Sequence, residues 1–154
     1  MTEERLLISL CTYNERDNIA ALVQEIHAHA PAADVLIVDD NSPDGTGELA
    51  DELAAADPRI RVQHRTGKLG LGTATLAAYE FAIRDNYDYL LNMDADFSHH
   101  PRYIPDLLKC MTTADVAIGS RYVPGGRIDG WGPLRHLMSR GVNFYARWML
   151  GLKT

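Results

Sequence analysis

The chain alternates between short unbroken apolar runs and longer stretches in which apolar residues return every three or four positions. Leu6-Leu7-Ile8-Ser9-Leu10-Cys11, Val35-Leu36-Ile37-Val38, Tyr87 to Met93 and Val116-Ala117-Ile118-Gly119 are of the first kind. With the alternating Ile60-Arg61-Val62-Gln63-His64 they predict five strands. Ile19, Leu22, Val23 and Ile26 recur at helical spacing, which predicts a helix from about Glu15 to His29, ended by Pro31. Leu49 and Leu53 mark a second helix over Thr46 to Ala56, broken by Pro58. Further helices are expected over Thr73 to Arg84, Pro101 to Met111 and Leu134 to Leu150. Strand and helix thus alternate five times, and the strands are apolar throughout. That is the signature of an α/β fold, a mostly parallel sheet flanked by helices on both faces. No repeat or low-complexity linker interrupts it, and 154 residues fit one domain, 1–154.

On such sheets ligands bind beyond the carboxyl ends of the strands. The polar clusters of this chain fall there: Thr12 to Glu15, Asp39 to Asp44, Lys68 to Gly72, Asp94 to Asp96 and Ser120 to Tyr122. Asp94 and Asp96 form a D-x-D pair. Two carboxylates aimed at one point repel unless a cation sits between them, and oxygen-only ligands favour Mg²⁺ or Mn²⁺. The competing reading is a solvated acidic turn. Tyr13 can stack on a base, and Glu15 can accept hydrogen bonds from a ribose or base edge or serve the start of its helix. Asp39 and Asp40 can hold ribose hydroxyls or cap the Asn41-Ser42 turn. Lys68, on a glycine loop, can reach a phosphate as a point charge. Arg121 can clamp one bidentately, or pair with an acid such as Asp96. His99 and His100 are neighbours whose rings point apart, so they read as a cap or as pocket lining rather than as metal ligands. The chain holds no G-x-x-x-x-G-K-[ST] and no G-x-S-x-G, which leaves out a P-loop and a nucleophile elbow.

Charge refines the picture. The net charge is −6, which argues against a general nucleic-acid binder. From Arg121 onward six basic residues face Asp129 alone, so this end carries +5 and residues 1–120 carry −11. The predicted helix 134–150 mixes Arg135, Arg140 and Arg147 with Leu137, Phe144, Tyr145 and Trp148, a basic amphipathic pattern that suits an anionic membrane surface or ordinary packing. Cys11 and Cys110 lie in apolar segments and read as small core residues, not as a disulfide framework. With no secretory leader and no apolar run near 20 residues, a cytoplasmic chain is expected.

Six motifs occur in order: Thr12-Tyr13-Asn14-Glu15, Val38 to Thr46, Lys68-Leu69-Gly70-Leu71-Gly72, Met93 to Pro101, Gly119-Ser120-Arg121-Tyr122, and Gly130-Trp131 leading to Ser139-Arg140-Gly141. Together they resemble polyprenol-phosphate (dolichol-phosphate) mannosyltransferases, inverting glycosyltransferases of the GT-A fold. The Ser-His-His-Pro and Lys-Leu-Gly-Leu-Gly segments look most like the mannosyl branch. The resemblance implies transfer of mannose from GDP-mannose to a polyprenyl phosphate, at the cytoplasmic face of a membrane. It implies that Tyr13, Glu15, Asp39 and Asp40 hold the guanosine, and that Lys68 serves the nucleotide sugar. Asp94, Ala95 and Asp96 would meet the diphosphate, with Mg²⁺ or Mn²⁺ on Asp94 and Asp96. Arg121 would hold phosphate, making Asp96 and Arg121 the catalytic candidates. Many members carry Pro where this chain has Cys11, and members continue past the point matching residue 154, so the resemblance implies a chain short of the family's C-terminal part. The alternatives are a glucosyl or aminosugar relative, a metal-dependent nucleotidyltransferase or phosphohydrolase, and a non-catalytic nucleotide-binding relative.

Overall fold

The computed structural model describes residues 4–120, 123 and 132–151. Its residues form two compact units, Met1–Asp115 and Val116–Thr154. The first holds four parallel strands, β1 (Leu6–Thr12), β2 (Asp34–Asp39), β3 (Ile60–His64) and β4 (Tyr89–Asp94), in the order β3-β2-β1-β4. Helices α1 (Arg16–His29), α2 (Thr46–Ala56) and α3 (Leu71–Arg84) connect them. After β4 come a 3₁₀ turn, Pro101–Tyr103, and α4 (Ile104–Cys110).

The alternation along β1 sends Leu6, Ile8 and Leu10 to one face of the sheet and Leu7 to the other. The first face meets Ile19, Leu22, Val23 and Ile26 of α1, one apolar stripe at 3.6-residue spacing, all but closed to solvent. Each such side chain contributes about 2 kcal/mol by leaving water. The second face meets Ala74, Ala78 and Ala82 of α3, packed on Leu7, Leu36 and Val38. Alanines four apart let α3 lie close to the sheet, which brings its first turn and the preceding glycine loop to the strand ends. Gly70, at φ +94°, turns the chain into α3.

Sheet order fixes where a ligand fits. The connections through α1 and α2 step outward from β1 to β2 and β3, and the chain then returns through α3 to the other side of β1. The crevice at such a reversal, beyond the carboxyl ends of β1 and β4, is the usual ligand position of open parallel sheets.

Four expectations need correction. Val116 to Gly119 forms no strand; Val116 and Ile118 are 73% and 82% exposed, and no described strand pairs with them. An apolar run becomes a strand only when a neighbour takes up its backbone hydrogen bonds. Strand β4 starts at Tyr89, because Tyr87 N–H still closes the end of α3 on Ala82 O at 3.0 Å. Cys110 is exposed on α4 and is no core residue, while Cys11 is part-buried at the edge of the core, packed against the second cluster. The segment expected as one helix from Pro101 opens as the 3₁₀ turn before α4.

In the second unit α5 (Pro133–Leu150) buries none of its residues, and Leu137, Phe144 and Trp148 are among its exposed apolar side chains. Among the described residues no helix is long and apolar enough to cross a membrane.

Candidate functional site

Neighbouring strands stop at one level. Cys11 lies beside Val38 on β2 and Asp94 on β4, Thr12 lies beside Asp39, and Asp39 lies beside His64 on β3. The acids that end β2 and β4 therefore arrive on either side of the end of β1.

Asp39 and Asp40 are adjacent and do different things. Asp39 is 1% exposed. Its Oδ1 accepts hydrogen bonds from Thr12 Oγ1 at 2.8 Å and Ser42 Oγ at 2.5 Å, and its Oδ2 accepts from Ser42 N–H at 3.0 Å. It fastens the β1 end to the Asn41-Ser42 turn, where Asn41 takes φ +56°. A Cβ on Gly47 would come within 3.2 Å of both Asp39 Oδ2 and the His64 ring, so α2 packs tightly here and a larger residue would press on both. The loop is tied onward. Ser42 Oγ accepts from Asn14 N–H at 3.0 Å, and Thr46 Oγ1 accepts from Glu15 N–H at 2.9 Å while donating to Asp44 Oδ1 at 2.6 Å. These bonds hold the Tyr13-Asn14 segment in place.

Asp40 points elsewhere. It lines a shallow cavity with Thr12, Tyr13, Lys68, Gly70 and Leu71, with Cys11 and Ala74 as further walls. It is 6% exposed, and its Oδ1, closed to solvent, accepts no hydrogen bond among the described residues. Its counter-charge is Arg65, Nη1 to Oδ1 at 2.9 Å. The N–H is not directed at the oxygen, so the contact is an ion pair and both atoms stay without a hydrogen bond. Lys68 Nζ stands 4.0 Å from the centroid of the Tyr13 ring. Burial pushes the Cys11 thiol up, so it remains protonated and is no nucleophile.

On the other side of β1, Ala95 is 3% exposed and packs into the main core, while Asp94 and Asp96 flank it in the open. Asp94 closes β4 and Asp96 lies in the bend just beyond it, so the two carboxylates stand at one strand end. Ser98 N–H donates to Asp96 Oδ1 at 2.9 Å and holds Asp96 below the usual carboxylate range. Asp94 N–H donates to His99 Nδ1 at 3.2 Å. The same nitrogen stands 3.8 Å from Asp94 Oδ2. His100 Nδ1 accepts from Arg102 N–H at 3.3 Å and caps the 3₁₀ turn. Among the described residues no group of three or more His, Cys, Asp or Glu side chains is arranged to hold a metal.

Tyr13, Asp40 and Lys68 thus share one cavity, with Asp94 at the neighbouring strand end. Glu15 and Asp39 are not among its lining residues; Glu15 Oε2 accepts from Asn18 Nδ2 at 2.9 Å at the start of α1. Arg121 lies outside the described residues. Arg65 escaped the reading of the sequence, since His64-Arg65-Thr66 looks like any solvated strand end.

The model of the family described as "Glycosyl transferase family 2" matches residues 8–153. The chain belongs to this family. Among its curated relatives are a polyprenol monophosphomannose synthase of Mycolicibacterium smegmatis and an undecaprenyl-phosphate mannosyltransferase of Micrococcus luteus. The first is 49% identical over 97% of this chain and 57% of its own length, the second 46% identical over 96% and 61%. The chain therefore spans about three fifths of these relatives. Among solved structures, S. aureus TarS (residues 1–349) is similar in fold at a TM-score of 0.57 and 20% identity, over 70% of this chain and 32% of that one. Glucosyl-3-phosphoglycerate synthase from Mycobacterium tuberculosis is similar at 0.51 and 21%, over 73% and 41%. Membership and these likenesses establish the GT-A fold that the motifs implied.

Proposed function

We propose that this chain is the donor-binding part of an inverting glycosyltransferase that moves mannose from GDP-mannose to a polyprenyl phosphate. The observation that carries the reading is Asp40, a nearly buried carboxylate that lines the cavity with Oδ1 closed off against Arg65, which leaves Oδ2 as the oxygen for a ligand. A ligand that offers N–H donors relieves the cost of burying it. Guanine offers two side by side, N1–H and N2–H, which can both reach the one oxygen, Oδ2, that Asp40 leaves to a ligand. Adenine and cytosine offer a donor beside an acceptor, and uracil a donor between two acceptors. Tyr13 supplies a ring for the base, and Lys68 a charge for the diphosphate. The names of the two mannosyl relatives point the same way.

Asp94 and Asp96 fit a divalent cation of the Mg²⁺ or Mn²⁺ type. They are hard oxygen donors at one strand end, and such ions are held by one or two carboxylates together with substrate phosphates. When bound, the cation supplies charge that stabilises the departing diphosphate. The acceptor is a phosphate, already ionised at neutral pH, so the chain needs no strong base. Its task is to bring two anions together, which Lys68 and Arg121 assist. The lipid acceptor and the basic face of α5 support peripheral attachment to the cytoplasmic face of a membrane.

Calorimetric titration of the chain with GDP, UDP and ADP, each with and without Mn²⁺, tests the reading. GDP is expected to bind best and to gain affinity from Mn²⁺. A preference for UDP reassigns the donor to a glucosyl or aminosugar nucleotide, and no binding of any nucleotide rejects the site.

A further inference from the structure

We infer that Arg65 is a positioning residue for the base, and that it sets guanine specificity by orienting Asp40 while clasping the loop that carries Lys68. The inference rests on the reading of the cavity as a GDP site. Arg65 begins where β3 ends, and its backbone is fixed there, N–H to Asp39 O at 2.8 Å. Its side chain then reaches two ways. Nη1 stands against Asp40 Oδ1, with side chains 8% and 9% exposed, and Nη2 bonds Thr73 Oγ1 in the first turn of α3. Thr73 Oγ1 also reaches Leu69 O at 3.0 Å and Gly70 O at 2.8 Å, the residues that follow Lys68. One guanidinium therefore joins the acid in the cavity to the glycine loop that forms its other wall.

The chemistry of the pair makes this more than a scaffold contact. A buried ion pair repays its desolvation only when further hydrogen bonds take up the remaining lone pairs and protons. Here the two facing atoms make none, although both side chains are nearly closed to solvent. Arg65 is the counter-charge against Oδ1 of Asp40, and it leaves Oδ2 to a ligand. A carboxylate free to rotate offers a base one N–H contact; one held by Arg65 so that Oδ2 keeps a set angle to the cavity can take both adjacent N–H groups of guanine on that oxygen. Removing Arg65 leaves Asp40 nearly buried without a counter-charge and free to turn. The second hydrogen bond to the base is lost first.

IDP isolates that bond, because hypoxanthine has the N1–H of guanine and lacks the N2 amino group. The affinities of GDP and IDP for the wild-type chain, Arg65→Gln, Arg65→Lys and Thr73→Val are compared by calorimetry, after circular dichroism has shown each to be folded. Wild type is expected to prefer GDP over IDP by about tenfold, the scale of one hydrogen bond to a charged group. In Arg65→Gln the ratio falls to near one. Arg65→Lys restores part of it, and Thr73→Val, an exposed change that spares the fold, lowers it in part. If Arg65→Gln does not fold, the lysine and valine variants decide. A GDP:IDP ratio that stays at the wild-type value while both affinities fall together makes Arg65 merely structural and overturns the inference alone. A wild-type chain that binds neither nucleotide overturns the inference and the GDP reading with it.

Discussion

The ammonium of Lys68 sits over the face of Tyr13, 4.0 Å from the ring centroid, and closes one side of the cavity that Asp40 lines. Exposed cation–π contacts of this kind are worth about 0.5–1 kcal/mol. A hydrogen bond between an ammonium and a phosphate is worth about 1.5–3 kcal/mol. The phosphate therefore wins, and a nucleoside diphosphate draws Lys68 off the ring and frees it for a base. Lys68→Ala should weaken GDP by about tenfold and leave guanosine, which has no phosphate, almost unchanged. Equal losses for GDP and guanosine would show that Lys68 acts on the base or on the fold.

The acidic pair makes a separate claim. Asp94 and Asp96 stand exposed at the end of β4, and the Ser98 N–H holds Asp96 below the usual carboxylate range. With Mn²⁺ present, Asp94→Asn and Asp96→Asn should each bind GDP as weakly as wild type does without metal. Without metal, all three chains should be alike. Variants whose binding still rises with Mn²⁺ as in wild type would place the cation elsewhere.

Asp39 is expected to matter for stability more than for ligand. Three donors converge on a carboxylate 1% exposed. Asp39→Ala strands Thr12 Oγ1 and the Ser42 N–H and should cost about 2–4 kcal/mol. Urea unfolding measures this as a lower midpoint at unchanged slope. A loss below about 0.5 kcal/mol, the range of an ordinary surface change, would mean that water replaces the turn bonds.

Asp57 gives the fold a pH dependence of known sign. It follows α2 and is pulled down to about 2, first by the Arg59 guanidinium and then by Arg59 N–H at 2.9 Å. A carboxylate whose folded value is depressed adds stability above its unfolded value, 3.8, and loses it as pH falls through the folded one. Thermal midpoints should therefore drop between about pH 4 and pH 2, and Asp57→Asn should flatten part of that limb. The carboxylate is partly exposed, so the effect is modest. An identical acid limb in the variant would remove Asp57 as its cause.

Much of this arrangement was legible in the sequence where local pattern and punctuation agree. Helices α1 and α2 fall where apolar spacing starts and where Pro31 and Pro58 stop it, because burying one stripe on a sheet is a local requirement. Val116 to Gly119 has the apolar character of a strand, yet pairing depends on a neighbour that no local pattern specifies. Asp39 and Asp40 carry the same signal side by side. Their separate fates follow from which way each points at the strand end, one into the turn and one into the cavity. Arg65 left no trace, because an arginine after a polar strand reads as solvated until its partner across the sheet is known.

The last prediction concerns α5, eighteen residues with no acid and with Arg135, Arg140 and Arg147. Its apolar residues Leu134, Met138, Val142, Tyr145 and Met149 recur at three- and four-residue steps, and all are exposed. Neither property alone points to a membrane, since basic helices are often just solvated and apolar stripes are often packed. A stripe and a set of cations on one helix suit the boundary between acyl chains and anionic headgroups. Each arginine near such a surface adds about 1 kcal/mol, and the attraction fades with salt. Three of them give reversible attachment. The chain is therefore expected to float with vesicles containing phosphatidylserine at low salt, and to leave them at high salt. The change of all three arginines to Gln should weaken flotation by about tenfold or more, and Trp148 fluorescence should shift to the blue only when vesicles are bound. GDP binding should survive the substitutions, because the cavity uses Tyr13, Asp40 and Lys68. Flotation that ignores both salt and the three changes, or that never occurs, would make α5 a packing element for protein rather than for lipid.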